Sequence, residues 1–159
     1  METIITTATK KILKLKAGIR AVSGGTGASK TYSIMEILTD YAQSNRNKRI
    51  DVVSESFPHL EAGTMEDLKN ILKDRHYWND SRWNETKHLY SFETETNLKF
   101  ISFDKLGKAH GPRRDVLFLN ECNFLPWNIA DQLITRTREI VFLDWNPTTE
   151  FWYYTEVKD

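Results

Sequence analysis

The chain holds a single cysteine, Cys122, so no internal disulfide can form. A reducing compartment is compatible with that usage. No apolar run approaches the roughly 18 residues that a membrane span needs. The opening stretch METIITTATKKILKLKAG has neither the apolar core nor the cleavage pattern of a secretory signal. Charge of one sign is also missing: 22 basic residues face 22 acidic ones. The chain therefore has no global nucleic-acid footprint, and any basic face must be local. Its 7 glycines and 4 prolines gather into no linker, and no internal repeat or low-complexity tract is present. What remains is 159 residues of ordinary globular composition. That is one domain's worth, able to bury roughly two-thirds of its unfolded surface.

Periodicity supplies the elements. KKILKLK, residues 10–16, alternates basic and apolar residues and reads as a strand, followed after a turn by a second strand, IRAVS, at 19–23. Ile34, Leu38 and Tyr41, with Ile37 beside them, mark a helix over about 30–44. RIDVVSES, 49–56, is β-branched and short, hence a strand. Pro58 reads as a turn, after which Met65, Leu68, Ile71 and Leu72 mark a second helix. Residues 76–86 have no clean period and read as a loop. KHLYSFE and NLKFISF are strand-like runs joined by TETN, a hairpin. DVLFLNE and EIVFLDWNP are strands of the kind buried on both faces, with a short helix, NIADQLITRTR, between them. Strands that alternate with helices and are apolar throughout predict an α/β fold, a mostly parallel sheet covered by helices. In such a sheet the ligand sits beyond the C-terminal ends of the strands. Those ends fall at Ser23–Gly24, Asn120–Glu121 and Asp144–Asn146, all polar.

The stretch SGGTGASKT nearly completes the phosphate-loop pattern G-x-x-x-x-G-K-[ST]. A triphosphate needs backbone N–H groups converging on its oxygens, and Gly24, Gly25 and Gly27, with Thr26 and Ala28, provide such a cradle. Ser29 stands where the second glycine belongs, which the loop tolerates if that position needs no positive φ. Lys30 is placed to reach the β- and γ-phosphates, and Thr31 to put its hydroxyl on Mg²⁺. Glu121 is the candidate general base. Asn120, where an aspartate would serve better, offers an amide oxygen to a metal-bound water. Asp144 and Asn146 end a third strand and could sense the γ-phosphate. Each feature also has a structural reading: a glycine turn with a surface lysine, a strand ending in solvated residues, an Asn-Pro turn.

Arginines in loops can stabilise the charge of a phosphoryl-transfer transition state, within the chain or across a subunit boundary, although each also reads as a solvated or ion-paired surface charge. Arg113 and Arg114 precede the Glu121 strand, and Arg136 and Arg138 precede the Asn146 strand. His59, His76, His88 and His110 lack metal-ligand spacing. Cys122 has no local histidine to activate it. Trp78, Trp83 and Trp127 read as packing residues rather than base-stacking ones.

With these residues in hand, the chain resembles the ATPase part of a tailed-bacteriophage terminase large subunit. The likeness rests on SGGTGASKTYSI, VVSESFPHLEAGTMEDLKNIL, SFETETNLKFISFDKLGKAHGPRRDVLFLNECN and DQLITRTREIVFLDWNPTTEFWY, in the family's order. It implies a three-layer P-loop NTPase sandwich with an added β-hairpin, working in the host bacterial cytoplasm. It also implies ATP and Mg²⁺ as ligands. Double-stranded DNA, a portal protein and a small terminase subunit are the implied partners, and a homo-oligomeric ring the implied assembly. By the motif match Lys30 and Thr31 serve the phosphate loop, Glu121 is the catalytic acid, and Asp144 and Asn146 couple phosphate state to movement. Three positions depart from the pattern: Ser29, Thr26 where many members carry arginine, and Asn120 where aspartate is usual.

The family's ATPase is followed by a nuclease domain. Here the sequence stops after the coupling strand, and no acidic cluster resembles a two-metal nuclease site. The expectation is a partial ATPase domain over 1–159 without cutting activity. FWYYTEVKD is then an abrupt end that would leave aromatic side chains without cover, whereas Trp145, Trp152, Tyr153 and Tyr154 taken by themselves read as packing at the sheet end. Two functions compete: an ATP-driven DNA translocase, and a non-catalytic nucleotide-binding or assembly module. A small-molecule kinase would need an acceptor pocket and a lid, for which no sequence is visible.

Overall fold

The computed structural model describes residues 18–23, 28–106, 113–146 and 150–157. The expected strand at 10–16 and the glycines of the phosphate loop lie outside these residues.

Aliphatic runs make the centre of a seven-stranded sheet. β1 is Ile19–Ser23, β2 Arg49–Ser54, β3 Trp83–Asn84, β4 Leu89–Ser91, β5 Asn97–Ser102, β6 Arg114–Leu119 and β7 Thr137–Trp145. Their order is β1-β7-β6-β2-β5-β4-β3. The first five in that order run parallel, while β4 and β3 are antiparallel additions at one edge. All six residues of β6 are buried, as a strand covered on both faces requires. Its side chains alternate: Val116 and Phe118 enter one core, Leu117 and Leu119 the other.

The first core is closed by α1 (Ala28–Ser44) and α3 (Thr64–Asp74). Ile34, Met35, Leu38 and Ala42 of α1 are fully buried. They meet Met65, Leu68, Ile71 and Leu72 of α3 over Ile50, Val52, Leu98 and Phe142. Truncating one such leucine to alanine costs about 2–5 kcal/mol. The second core packs Ala130 and Leu133 of α4 (Trp127–Thr135) on Val53, Val141 and Leu143. Two cores on opposite faces make three layers, as the sequence predicts.

Three details differ from expectation. Pro58 opens a six-residue helix, α2 (Phe57–Ala62), rather than a turn. The first turn of a helix has no partner for its N–H, so proline is accepted there. Gly63 separates α2 from α3. A Cβ added at Gly63 would stand 3.1 Å from the His59 carbonyl oxygen. The 76–86 loop contains a 3₁₀ turn, Asp80–Arg82, and the two-residue β3, in which Trp83 pairs with Tyr90. Finally, of the two readings of the C-terminal aromatics, the structure shows the packed one and not the uncovered end. Trp152 is buried and donates its indole N–H to the Leu125 carbonyl at 2.7 Å. Tyr153 lies 4.5 Å from the Trp145 ring, and Trp127 lies 5.2 Å from Trp152. These rings cover one another against the second core.

The hairpin is tied to the end of α1. Thr94 Oγ1 donates to the Ala42 carbonyl and Thr96 Oγ1 to that of Asn45, each at 2.5 Å. Trp78 stacks on Tyr90 at 5.0 Å and Trp83 meets Phe100 at 6.1 Å, so both tryptophans pack rather than project.

Candidate functional site

β1, β7 and β6 are neighbours, so their C-terminal ends meet at one rim of the sheet. α1 begins there, directly after the glycine loop. Ser29 lies within α1 in helical backbone, which demands no left-handed conformation of it. Lys30 and Thr31 occupy the first turn.

A cavity of about 390 Å³ opens at this rim. Lys30, Thr31, Asn120, Glu121, Asp144 and Asn146 line it, together with His59, Ala62, Gly63 and Asp67 from α2, the break and α3. Lys30 is only 7% exposed. Its ammonium donates to the Trp145 carbonyl at 2.7 Å and to Asn146 Oδ1 at 3.2 Å. Burial pulls its pKa down, against the pull of Asp144, Glu121 and Cys122.

Asp144 is fully buried. Thr31 Oγ1 donates to Asp144 Oδ2 at 2.9 Å, the Glu121 N–H to Oδ1 at 2.6 Å, and Asn120 Nδ2 to both oxygens at 3.2 and 3.3 Å. Burial pushes this carboxyl above its usual range, while those hydrogen bonds and Lys30 oppose the push. Ser54 Oγ donates weakly to Asn120 Oδ1 at 3.4 Å. Asn120 is thus engaged on both sides of its amide. The negative charge at the end of β6 comes from the adjacent strand through Asp144.

Glu121 follows β6 with φ 51° and ψ 53°, in the left-handed region. Such a conformation costs a non-glycine residue about 1–2 kcal/mol. It tips the side chain over the cavity, where Glu121 Oε2 contacts His59 Nε2. Burial, reinforced by Glu66, pushes Asp67 up to about 6.

Sequence reading missed His59 and Asp67 as site residues. His59 is 62 positions from its partner, and no local pattern encodes such a contact. The SESFPHL turn carried it only as part of a motif. Cys122 is buried and its thiol is pushed far above the ordinary range by burial and by Asp144, which disfavours the thiolate that a nucleophile needs. Among the described residues, no group of three or more His, Cys, Asp or Glu is placed to hold a metal ion by itself.

For Arg114 the arginine expectation needs correcting. Arg114 is 2% exposed and locked at the opposite end of β6. Its Nε donates to Asp51 Oδ2 at 2.6 Å and its Nη1 to the Leu133 carbonyl at 2.9 Å. Five residue steps separate it from Leu119, about 16 Å at the usual strand rise. Arg113 stands beside it, exposed, while Arg136 caps the end of α4 and Arg138 is the second residue of β7, at that same far end. None of these four is among the described residues that line the cavity.

No family model and no curated protein matches the chain. Solved structures do. The large terminase of a thermophilic bacteriophage aligns over 99% of this chain and 43% of its own, with a TM-score of 0.80 at 17% identity. The same protein in complex with ATP-γ-S aligns over 98% and 42%, with a TM-score of 0.77 at 18% identity. The large terminase ATPase domain of Thermus phage P74-26 aligns over 94% and 68%, with a TM-score of 0.70 at 12% identity. The chain thus spans less than half the length of the first of these proteins. Likeness at these identities establishes architecture, and it agrees with the strand order and the polar rim: the fold is the P-loop-NTPase-like fold of phage large-terminase ATPase domains.

Proposed function

We propose that this chain is the ATP-hydrolysing motor portion of a phage large terminase, driving double-stranded DNA into a capsid. One observation carries the reading: a single cavity gathers Lys30 and Thr31 from the first turn of α1 with Glu121, Asp144 and Asn146 from the ends of the neighbouring strands β6 and β7. The complexes of the thermophilic phage's large terminase with ADP and with ATP-γ-S, on the same fold, support a nucleotide as the ligand.

In this reading the backbone of Gly24, Gly25, Thr26 and Gly27 and the first turn of α1 receive the phosphates. Lys30 exchanges its contact with the Trp145 carbonyl for a phosphate oxygen. Thr31 and Asp144 supply hydroxyl and carboxylate oxygens, the donor set a hard cation prefers, and Asn120 orients Asp144. Mg²⁺ held there would offset the charge that develops on the transferred phosphoryl group. Glu121 accepts a proton from water as the water oxygen bonds to the γ-phosphorus. The bond to the bridging oxygen breaks, leaving ADP and inorganic phosphate. Asn146, hydrogen-bonded to Lys30, registers that exchange at the end of β7. The portal, the small terminase subunit and further copies in a ring are the partners this role requires.

Steady-state phosphate release with Mg-ATP tests the proposal, with and without DNA and portal. Lys30→Ala and Glu121→Gln are expected to abolish turnover. Nucleotide binding without turnover in the unmodified chain, even with those partners, favours the non-catalytic module.

A further inference from the structure

We propose that His59 is a positioning residue for Glu121, holding its carboxylate over the cavity and away from the Lys30 ammonium. The inference rests on the reading of Glu121 as general base.

The contact is direct, between His59 Nε2 and Glu121 Oε2, and both residues line the cavity. Each end of it is anchored. On the Glu121 side, the N–H donates to Asp144 at 2.6 Å and the backbone is fixed in the left-handed region. Only the side-chain torsions remain to be set. On the His59 side, α2 is capped by Ser56, whose Oγ accepts from the His59 N–H at 3.4 Å, and rooted by the fully buried Leu60. The imidazole thus reaches in from a fixed helix.

The chemistry explains why a brace is needed. Lys30 attracts Glu121 electrostatically across the same cavity. A carboxylate left to rotate would turn toward that ammonium, and a base paired to a cation is a poor proton acceptor. His59, donating Nε2–H, occupies one of about four lone-pair sites on the carboxylate. The remaining sites are available to a water. A carboxylate set in advance removes a reorganisation step, and misplacement by about 1 Å can cost on the order of 100-fold in rate.

The test compares unmodified protein, His59→Ala, His59→Gln, Glu121→Gln and the His59→Ala/Glu121→Gln double variant. Single- and multiple-turnover ATP hydrolysis is read beside ATP-γ-S affinity. His59→Ala is expected to lower kcat by roughly 10- to 100-fold, with KM and nucleotide affinity within about twofold. His59→Gln, which keeps an N–H donor, recovers much of the loss. The double variant is no slower than Glu121→Gln alone. A kcat for His59→Ala within twofold of the unmodified protein, or a loss confined to KM and affinity, overturns the proposal. Full activity of Glu121→Gln overturns the general-base reading instead.

Imidazole ¹⁵N spectra read the contact without turnover. Glu121→Ala should shift the His59 ring nitrogens and leave those of His76 and His88 in place. Unmoved His59 signals also overturn the proposal.

Discussion

Both ends of the parallel sheet gather charged side chains, and they dispose of them in opposite ways. At the N-terminal end, Asp51 accepts from Arg114 at 2.6 Å and from Arg49 Nε at 3.3 Å. Asp115 accepts from the Arg49 backbone N–H at 2.9 Å and from Arg138 at 3.5 Å. Every one of these carboxylates meets a guanidinium or an amide, and Arg114 spends a further N–H on the last turn of α4. That network is closed. At the C-terminal end, Asp144, Glu121 and Asp67 share one cavity with the Lys30 ammonium. Burial there disfavours the charge on Lys30 and on Asp144 alike. A closed network holds architecture, whereas buried charges around an open space suit a charged ligand.

Substitutions at the two ends should therefore separate stability from activity. The largest effect is expected at the open end: Lys30→Ala or Glu121→Gln lowers kcat for ATP by at least about 100-fold, measured as phosphate release, with little change in the urea midpoint. At the closed end, Arg114→Met leaves Asp51 without its main partner in a dry site and should destabilise the fold by about 3 kcal/mol. Urea denaturation reads this, and the folded fraction should keep its nucleotide affinity. A kcat lost with stability intact in Arg114→Met would break the comparison.

Asp67 sharpens it from the open side. Its folded pKa, about 6, exceeds the ordinary 3.8. The folded state therefore binds more protons than the unfolded one between those values, and stability falls as pH rises through that window. Asp67→Asn should flatten the fall and gain about 1 kcal/mol at neutral pH, an amount reduced by solvent screening at a partly exposed site. Urea midpoints at about pH 4 and pH 7 check the sign. The smallest effect belongs to Arg138→Ala. Its pair with Asp115 is long and the arginine side chain is 57% exposed, so the cost should stay within about 0.5 kcal/mol.

The architecture was legible wherever burial leaves a periodic trace. Val116–Leu119 and Val141–Leu143 announce themselves because a strand covered on both faces has no room for polar residues. Ile34, Leu38, Leu68 and Leu72 do the same at helical spacing. That Lys30, Thr31 and Glu121 share one rim was legible because the proposed chemistry sets fixed offsets from a glycine loop or a strand end. What stayed hidden is nonlocal. Arg114 looks in sequence like a solvated charge in a basic loop, and only the neighbouring strand, through Asp51, makes it a core residue. His59 and Asp67 reach the cavity because the chain breaks at Gly63, and a periodicity search passes over that break. β3, at two residues, is too short to show alternation; cross-strand pairing with Tyr90 creates it.

The backbone of Glu121 has one further consequence. A glycine at that corner would relax the main chain, and asparagine would tolerate it better than glutamate does. The variants best suited to the local geometry are thus ones that lack the carboxylate. Any laboratory evolution scored on heat resistance alone should enrich such replacements at position 121, yielding sturdier proteins that lack the proposed general base.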